Sequence, residues 1–209
     1  MFATGVLIRS GGVDLAGDLS IPEGATRLVV FVHGSGSSRM SPRNRQVAHA
    51  LNRAGFATLL FDLLAEAEEV DRAAVFDIEL LAARLAEVLV WLRERADVGS
   101  MAVGLFGAST GAAAALACAA EPGSNVSAVV SRGGRPDLAA AALPLVKAPT
   151  LLIVGGADDV VLELNEQAAR QLRCEHRVLV IPRATHLFEE PGALEAVASA
   201  AIAWFDDHL

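Results

Sequence analysis

The chain has 209 residues, 53% of them hydrophobic and 20% charged, with a formal net charge of −8. That length suits one domain with a sizeable core, and the composition excludes a disordered chain. The acidic balance, with no basic run to offset it, speaks against a nucleic-acid partner, whose phosphates reward a basic surface.

Phe2–Arg9 and Asp14–Ile21 flank Gly11-Gly12 and predict an opening β-hairpin. Arg27–Val32 (RLVVFV) is a continuous apolar run closed by His33-Gly34, the pattern of a strand buried on both faces. After a polar loop, Pro42 suits the first turn of a helix running to about Ala54. Phe56–Phe61 is the next buried strand. The three- and four-residue apolar spacing after Asp71, in AAVFDIELLAARLAEVLVWLRE, predicts one long amphipathic helix. Met101–Phe106 is a short strand, followed by an Ala-rich helix from Ser109. Val126–Ser131, Thr150–Val154 and Arg177–Ile181 complete the strands, with helices near Val161–Arg173 and Ala193–His208. Strands alternating with helices in this way predict a three-layer α/β/α sandwich with a mainly parallel sheet, as a single domain over residues 1–209.

Cys118 and Cys174 are too few and too far apart for a disulfide framework or a metal site. The five histidines include no pair at ligand spacing on one helix, so no metal is expected. The opening MFATGVLIRSGG lacks the charged, apolar and cleavage regions of a secretion signal, and no apolar run reaches membrane-spanning length. The expectation is a soluble, cytoplasmic protein with no membrane partner.

In open α/β sheets, ligands bind beyond the carboxyl ends of the strands, which directs attention to the strand-to-helix loops. Gly107-Ala108-Ser109-Thr110-Gly111 joins a strand to a helix through small residues. These permit a tight turn that lifts the serine oxygen above the sheet, with the Thr110 N–H facing whatever the serine attacks. The competing reading is an N-cap serine, whose oxygen would accept from the free N–H groups of the helix.

A nucleophilic serine needs a base. His186, directly after the last predicted strand, is the candidate. His33 would place the base before the nucleophile and is read as a residue that orients its loop. His49 lies inside a predicted helix, His208 at the chain's end, and His176 at the wrong edge of the sheet. The histidine in turn needs a carboxylate to fix its tautomer, and Asp158 and Asp159, after LLIVGGA, both offer one. Serine, acid, then histidine is the chain order of the nucleophile-elbow fold.

The loop His33-Gly34-Ser35-Gly36-Ser37-Ser38 has unhindered backbone N–H groups, and Ser35 N–H with Thr110 N–H is the expected oxyanion pair. A phosphate-binding loop fails on spacing. Arg39 stands where a dinucleotide fingerprint needs glycine, and there is no Gly-Lys-Ser/Thr. The chain has no tyrosine, which removes every reaction class that requires a tyrosine acid or base.

Together, His33-Gly34 with its small loop, Gly107-x-Ser109-x-Gly111, Gly155-x-x-Asp158 and Ala184-Thr185-His186 resemble the α/β-hydrolase fold family over nearly the whole chain. The compact length and opening hairpin are most similar to its dienelactone hydrolase-like branch, which lacks a large lid. That branch's spacing implies Asp158 as the acid and leaves Asp159 to cap the following helix. Dienelactone hydrolases proper carry a cysteine in the elbow. With Ser109 there, the chain resembles the small carboxylesterases of the same branch.

The resemblance implies a catalytic triad of Ser109, Asp158 and His186 that hydrolyses carboxylic esters of small molecules through an acyl-enzyme, with no cofactor. A thioesterase or acyltransferase using the same triad, or a non-catalytic ligand-binding member, are the alternatives. Only about eighteen residues separate the Ser131 strand end from Thr150, where larger members insert a lid, so an open site is expected. Arg39, Arg43 and Asn44 in one loop, and Arg132 and Arg135 in another, lie at the same end of the sheet. Of these, Arg39, Arg43 and Arg132 are the candidates for binding an anionic group on the substrate.

Overall fold

A computed structural model describes residues 3–209, so Phe2, the predicted start of the first strand, lies outside the described residues. Its strands are β1 (Thr4–Ser10), β2 (Val13–Ser20), β3 (Arg27–Val32), β4 (Ala57–Phe61), β5 (Ala102–Ala108), β6 (Val126–Arg132), β7 (Thr150–Gly155) and β8 (His176–Ile181). They form one eight-stranded sheet in the order β1-β2-β4-β3-β5-β6-β7-β8. β1 and β2 form the antiparallel hairpin and β2 also runs antiparallel to β4, whereas every pairing from β4 to β8 is parallel.

The helices are α1 (Pro42–Arg53), α2 (Arg72–Val75), α3 (Ile78–Arg93), α4 (Thr110–Ala120), α5 (Asp159–Ala169) and α6 (Ala193–His208). Strand periodicity explains where they lie. Leu28, Val30 and Val32 of β3 point into one core with Leu81, Leu85 and Val88 of α3 and Ala114 and Ala115 of α4. Val29 and Phe31, on the opposite face, join Val47 and Leu51 of α1 and Val197, Ala201 and Phe205 of α6. Successive strand residues face opposite sides, so a strand that is apolar throughout requires a helical layer on each face. The architecture is the expected three-layer sandwich.

Two helices differ from expectation. The segment after Asp71 is broken into α2 and α3, because Asp77 turns its carboxylate onto the Leu80 N–H at 3.0 Å and starts a new helix. Asp71 does the same one helix earlier, accepting from Ala73 N–H at 2.9 Å. α5 begins at Asp159 and ends at Ala169, earlier at both ends than predicted. Between β6 and β7 there are only two short 3₁₀ turns, Pro136–Ala139 and Leu143–Leu145. No helix among the described residues is long and apolar enough to cross a membrane.

Candidate active site

The parallel registers bring the carboxyl ends of β3, β5, β6, β7 and β8 to one edge: Val32 opposes Gly107, Ala108 opposes Arg132 and Gly155 opposes Ile181. Ser109 sits there between β5 and α4 at φ 51 and ψ −122, a left-handed φ that a non-glycine residue holds only when its surroundings enforce it. The enforcement is visible. Ser109 N–H donates to the Arg132 carbonyl at 3.2 Å, and its own carbonyl accepts from Ala112 N–H and Arg135 N–H at 3.1 and 3.0 Å. A Cβ on Gly111 would lie 2.2 Å from the Val32 carbonyl oxygen, and one on Gly107 2.5 Å from Ala112 Cα. Only glycine lets β3, β5 and α4 approach this closely. The Ser109 side chain occupies the N-cap position of α4 but makes no capping hydrogen bond. Its hydroxyl has no hydrogen-bond partner among the described residues.

Asp158 and His186 reach each other from the ends of β7 and β8. Asp158 Oδ2 accepts from His186 Nδ1 at 2.8 Å, with the acid side chain 16% exposed and the histidine half-buried at 40%. This fixes the tautomer that leaves Nε2 unprotonated in neutral imidazole. The capping role expected of Asp159 is corrected. Asp159 is the first helical residue of α5 and Asp158 holds the N-cap position, its carboxylate turned to the histidine instead of the helix. Glu190, which the sequence reading passed over, accepts from Thr185 N–H at 3.0 Å and braces the histidine loop. That bond holds its carboxyl below the ordinary range.

His33 is built into the scaffold. Its Nδ1 donates to the Gly34 carbonyl at 3.0 Å and its Nε2 accepts from Leu63 N–H at 3.0 Å. Burial pushes its pKa down, outweighing the raising influence of the Gly34 carbonyl. The neutral ring thereby ties the β3 loop to the β4 loop. Ser35 N–H departs from its expected role: it donates to Thr110 Oγ1 at 2.8 Å and is not free to face Ser109. Thr110 N–H has no acceptor among the described residues. The Thr110 hydroxyl, a partner that only the folded loops reveal, is what occupies Ser35.

Ser109 and His186 line one cavity of about 300 Å³, together with Ser35, Ser37, Ser41, Arg43, Asn44 and Arg132. A second cavity of about 290 Å³ lies across the Gly34–Ser38 loop, walled by Leu63, Leu64, Val75 and Leu81. Leu63 and Leu64 lie between the predicted strand and helix, and only the fold brings them against this loop. The candidate arginines separate sharply. Arg39 is corrected as a substrate ligand: it does not line the serine cavity, and its guanidinium pairs with Asp62 and lies 3.9 Å from Asp18. Arg43 lines the cavity but reaches outward to Glu189 at 3.0 Å. Arg135 is forked onto Asp137 at 2.8 Å. Arg132 lines the cavity with no carboxylate partner among the described residues. None of these residues groups with others into a set of three or more His, Cys, Asp or Glu that would hold a metal ion, among the described residues.

Comparison with known proteins places the fold. The dienelactone hydrolase family model matches residues 15–208. Two Mycobacterium tuberculosis proteins, both described as putative phosphoribosyl transferases, are 61% identical over 204 residues. The match covers 98% of this chain and 46% of each relative, so the chain spans about half the length of these relatives. A crystal structure of a dienelactone hydrolase from Anabaena variabilis superposes with a TM-score of 0.96 at 57% identity, covering 99% of this chain and 98% of that one. Est1E from Butyrivibrio proteoclasticus, at 16% identity and a TM-score of 0.83 over 97% of this chain and 98% of its own, shares the fold. The sheet, hairpin and helical layers are those of the α/β-hydrolase fold.

Proposed function

The chain belongs to the dienelactone hydrolase family, and from that premise we propose that it is a serine hydrolase cleaving carboxylic esters through an acyl-enzyme on Ser109. The observation that carries this reading is a free serine hydroxyl on a strained elbow, sharing one cavity with a histidine whose far nitrogen is held by Asp158.

The chemistry follows from those positions. Ser109 Oγ attacks the ester carbonyl carbon while His186 Nε2 takes the hydroxyl proton, and Asp158 stabilises the imidazolium that results. The carbonyl oxygen becomes an oxyanion, received by the Thr110 N–H at the positive end of α4. The intermediate collapses, the C–O bond to the alcohol breaks, and His186 returns its proton to the leaving oxygen. A water then gives a proton to His186 and attacks the acyl-enzyme, releasing the carboxylic acid and restoring Ser109.

The mycobacterial relatives are named for a transfer reaction, but the match covers only 46% of each of them. The ester-cleaving reading rests on the serine cavity itself. Labelling with a serine-reactive fluorophosphonate tests it: the adduct is expected at Ser109 and is expected to disappear in His186→Ala. A folded protein that takes up no label overturns the reading.

A further inference from the structure

The elbow that carries Ser109 is held in turn by a side chain from another helix. Asn165 lies within α5, fully buried, about two helical turns after Asp158. Its Nδ2 donates to the Gly134 carbonyl at 3.0 Å and to the Val161 carbonyl of its own helix at 2.8 Å. Both neighbours are carbonyl oxygens, so the amide must turn its nitrogen towards them. Its Oδ1 is buried with no hydrogen-bond partner among the described residues. A buried acceptor left unpaired is destabilising, and an apolar side chain at this position would avoid the loss. The packing of α5 therefore does not explain the amide.

The bond to Gly134 begins a chain of aligned dipoles. The Gly134 carbonyl and the Arg135 N–H belong to one planar peptide group, and that N–H donates to the Ser109 carbonyl at 3.0 Å. The Ser109 carbonyl and the Thr110 N–H form a second such group. Two peptide groups thus run head to tail from Asn165 to the Thr110 N–H, which ends the chain with no acceptor among the described residues.

A planar group held at its oxygen has its N–H direction fixed as well, and hydrogen bonds in series polarise one another. Glycine at position 134 offers little resistance to a peptide flip. A flip there would turn the Gly134 oxygen towards the Ser109 oxygen, and the Asn165 bond opposes it. Ser109 needs such support, because its φ of 51 is enforced only by its surroundings. Ala112 N–H also reaches the Ser109 carbonyl, at 3.1 Å, but from within the same turn. Asn165 supplies an anchor from outside it.

We propose that Asn165 is a positioning residue for ester cleavage, aiming the Thr110 N–H, through two peptide groups, at the oxyanion that forms beside Ser109. It touches neither the substrate nor the reacting atoms. Its effect falls on the transition state, where the ester oxygen gains the charge that the N–H receives. This assignment rests on the ester-hydrolase reading, and its test is arranged so that the two fail separately.

Asn165→Leu removes both donors and adds no charge. Acylation and deacylation each pass through an oxyanion, so both steps slow together and KM is preserved. On p-nitrophenyl acetate, kcat is expected to fall roughly tenfold to a hundredfold, less than for an oxyanion donor removed outright, with KM within about twofold. A trifluoromethyl ketone adds to Ser109 as a hemiketal whose oxyanion takes the same place, and its affinity is expected to fall by a similar factor. Asn165→Ala, smaller and favourable in a helix, repeats both measurements should the leucine prevent folding. Ala168→Gly, at a buried position one turn further along α5, loosens the same helix without touching the amide. It is expected to lower the urea midpoint and keep the native kcat.

Native kcat in a folded Asn165 variant would overturn the assignment. So would a loss that Ala168→Gly reproduces, or one carried by KM with ketone affinity intact. Each of these outcomes leaves the hydrolase standing. A native protein that cleaves no ester, with Ser109 unlabelled by fluorophosphonate, sinks both.

Discussion

Arg84 and Arg132 are both buried, 6% and 9% exposed, yet only one of them has a carboxylate beside it. Arg84 sends Nη1 and Nη2 to the two oxygens of Glu68 at 3.0 and 2.7 Å. That fork holds the Glu68 carboxyl below its ordinary range and ties the segment after β4 to α3. Arg132 has no such partner and faces the serine cavity. The same residue type, at nearly the same burial, is closed in one place and open in the other. A closed fork is part of the scaffold. An open one, on the wall of the cavity that Ser109 lines, keeps buried donors without a partner.

The contrast has meaning only if chemistry occurs in the cavity beside Arg132, and the largest expected effect tests that. Ser109→Ala is expected to lower kcat/KM on a p-nitrophenyl ester by about four orders of magnitude or more without changing the unfolding midpoint. Retained turnover would place the chemistry elsewhere. Next in size, Arg84→Met leaves Glu68 without its partner and is expected to cost about 2 kcal/mol in urea unfolding, discounted from a fully buried pair because Glu68 is 28% exposed. Its turnover of a p-nitrophenyl ester should not move.

Arg132→Met sharpens the comparison from the other side. Removing a buried charge that has no partner is expected to leave stability unchanged or raise it by about 1 kcal/mol. A loss as large as that of Arg84→Met would mean that Arg132 also belongs to the scaffold. The smallest effect concerns His33, which burial keeps neutral, with a pKa below its usual 6.5. As pH falls, the unfolded chain takes up that proton first. The contribution is therefore full above about pH 6.5 and is lost below it, by at most about 1.4 kcal/mol per pH unit for one proton. Urea midpoints across that range should fall less steeply in His33→Gln than in the native protein.

Much of the frame was legible because its causes are local. The apolar run Arg27–Val32 needs only its own side chains to declare a strand buried on both faces. Gly107 and Gly111 announce a close approach by their spacing around Ser109. Asp77 was harder. The apolar period runs through Phe76 and Ile78 without a gap, and only backbone geometry distinguishes an acid on a helix surface from one that starts a new helix. The arginines lay beyond sequence reasoning altogether. Arg39 is neutralised by Asp62, twenty-three residues away and brought near by β4, while Arg132 meets no acid among the described residues. Whether a loop cation is free depends on which carboxylate the fold delivers. Likewise, nothing in Thr110 announces that its hydroxyl will take the Ser35 N–H.

The position of β8 carries one more consequence. It is the last strand of the sheet, hydrogen-bonded only to β7, with five of its six residues exposed or partly so. His186 hangs just beyond its end, whereas Ser109 is anchored near the middle of the sheet. Edge elements open at lower free energy than the core they border. On warming, a brief fraying of this one strand would carry the histidine off its acid while every helix stays in place. Catalysis is then expected to fade before the far-ultraviolet signal changes, and to return on cooling. The working temperature range would belong to the margin of the protein, and its melting point to the interior.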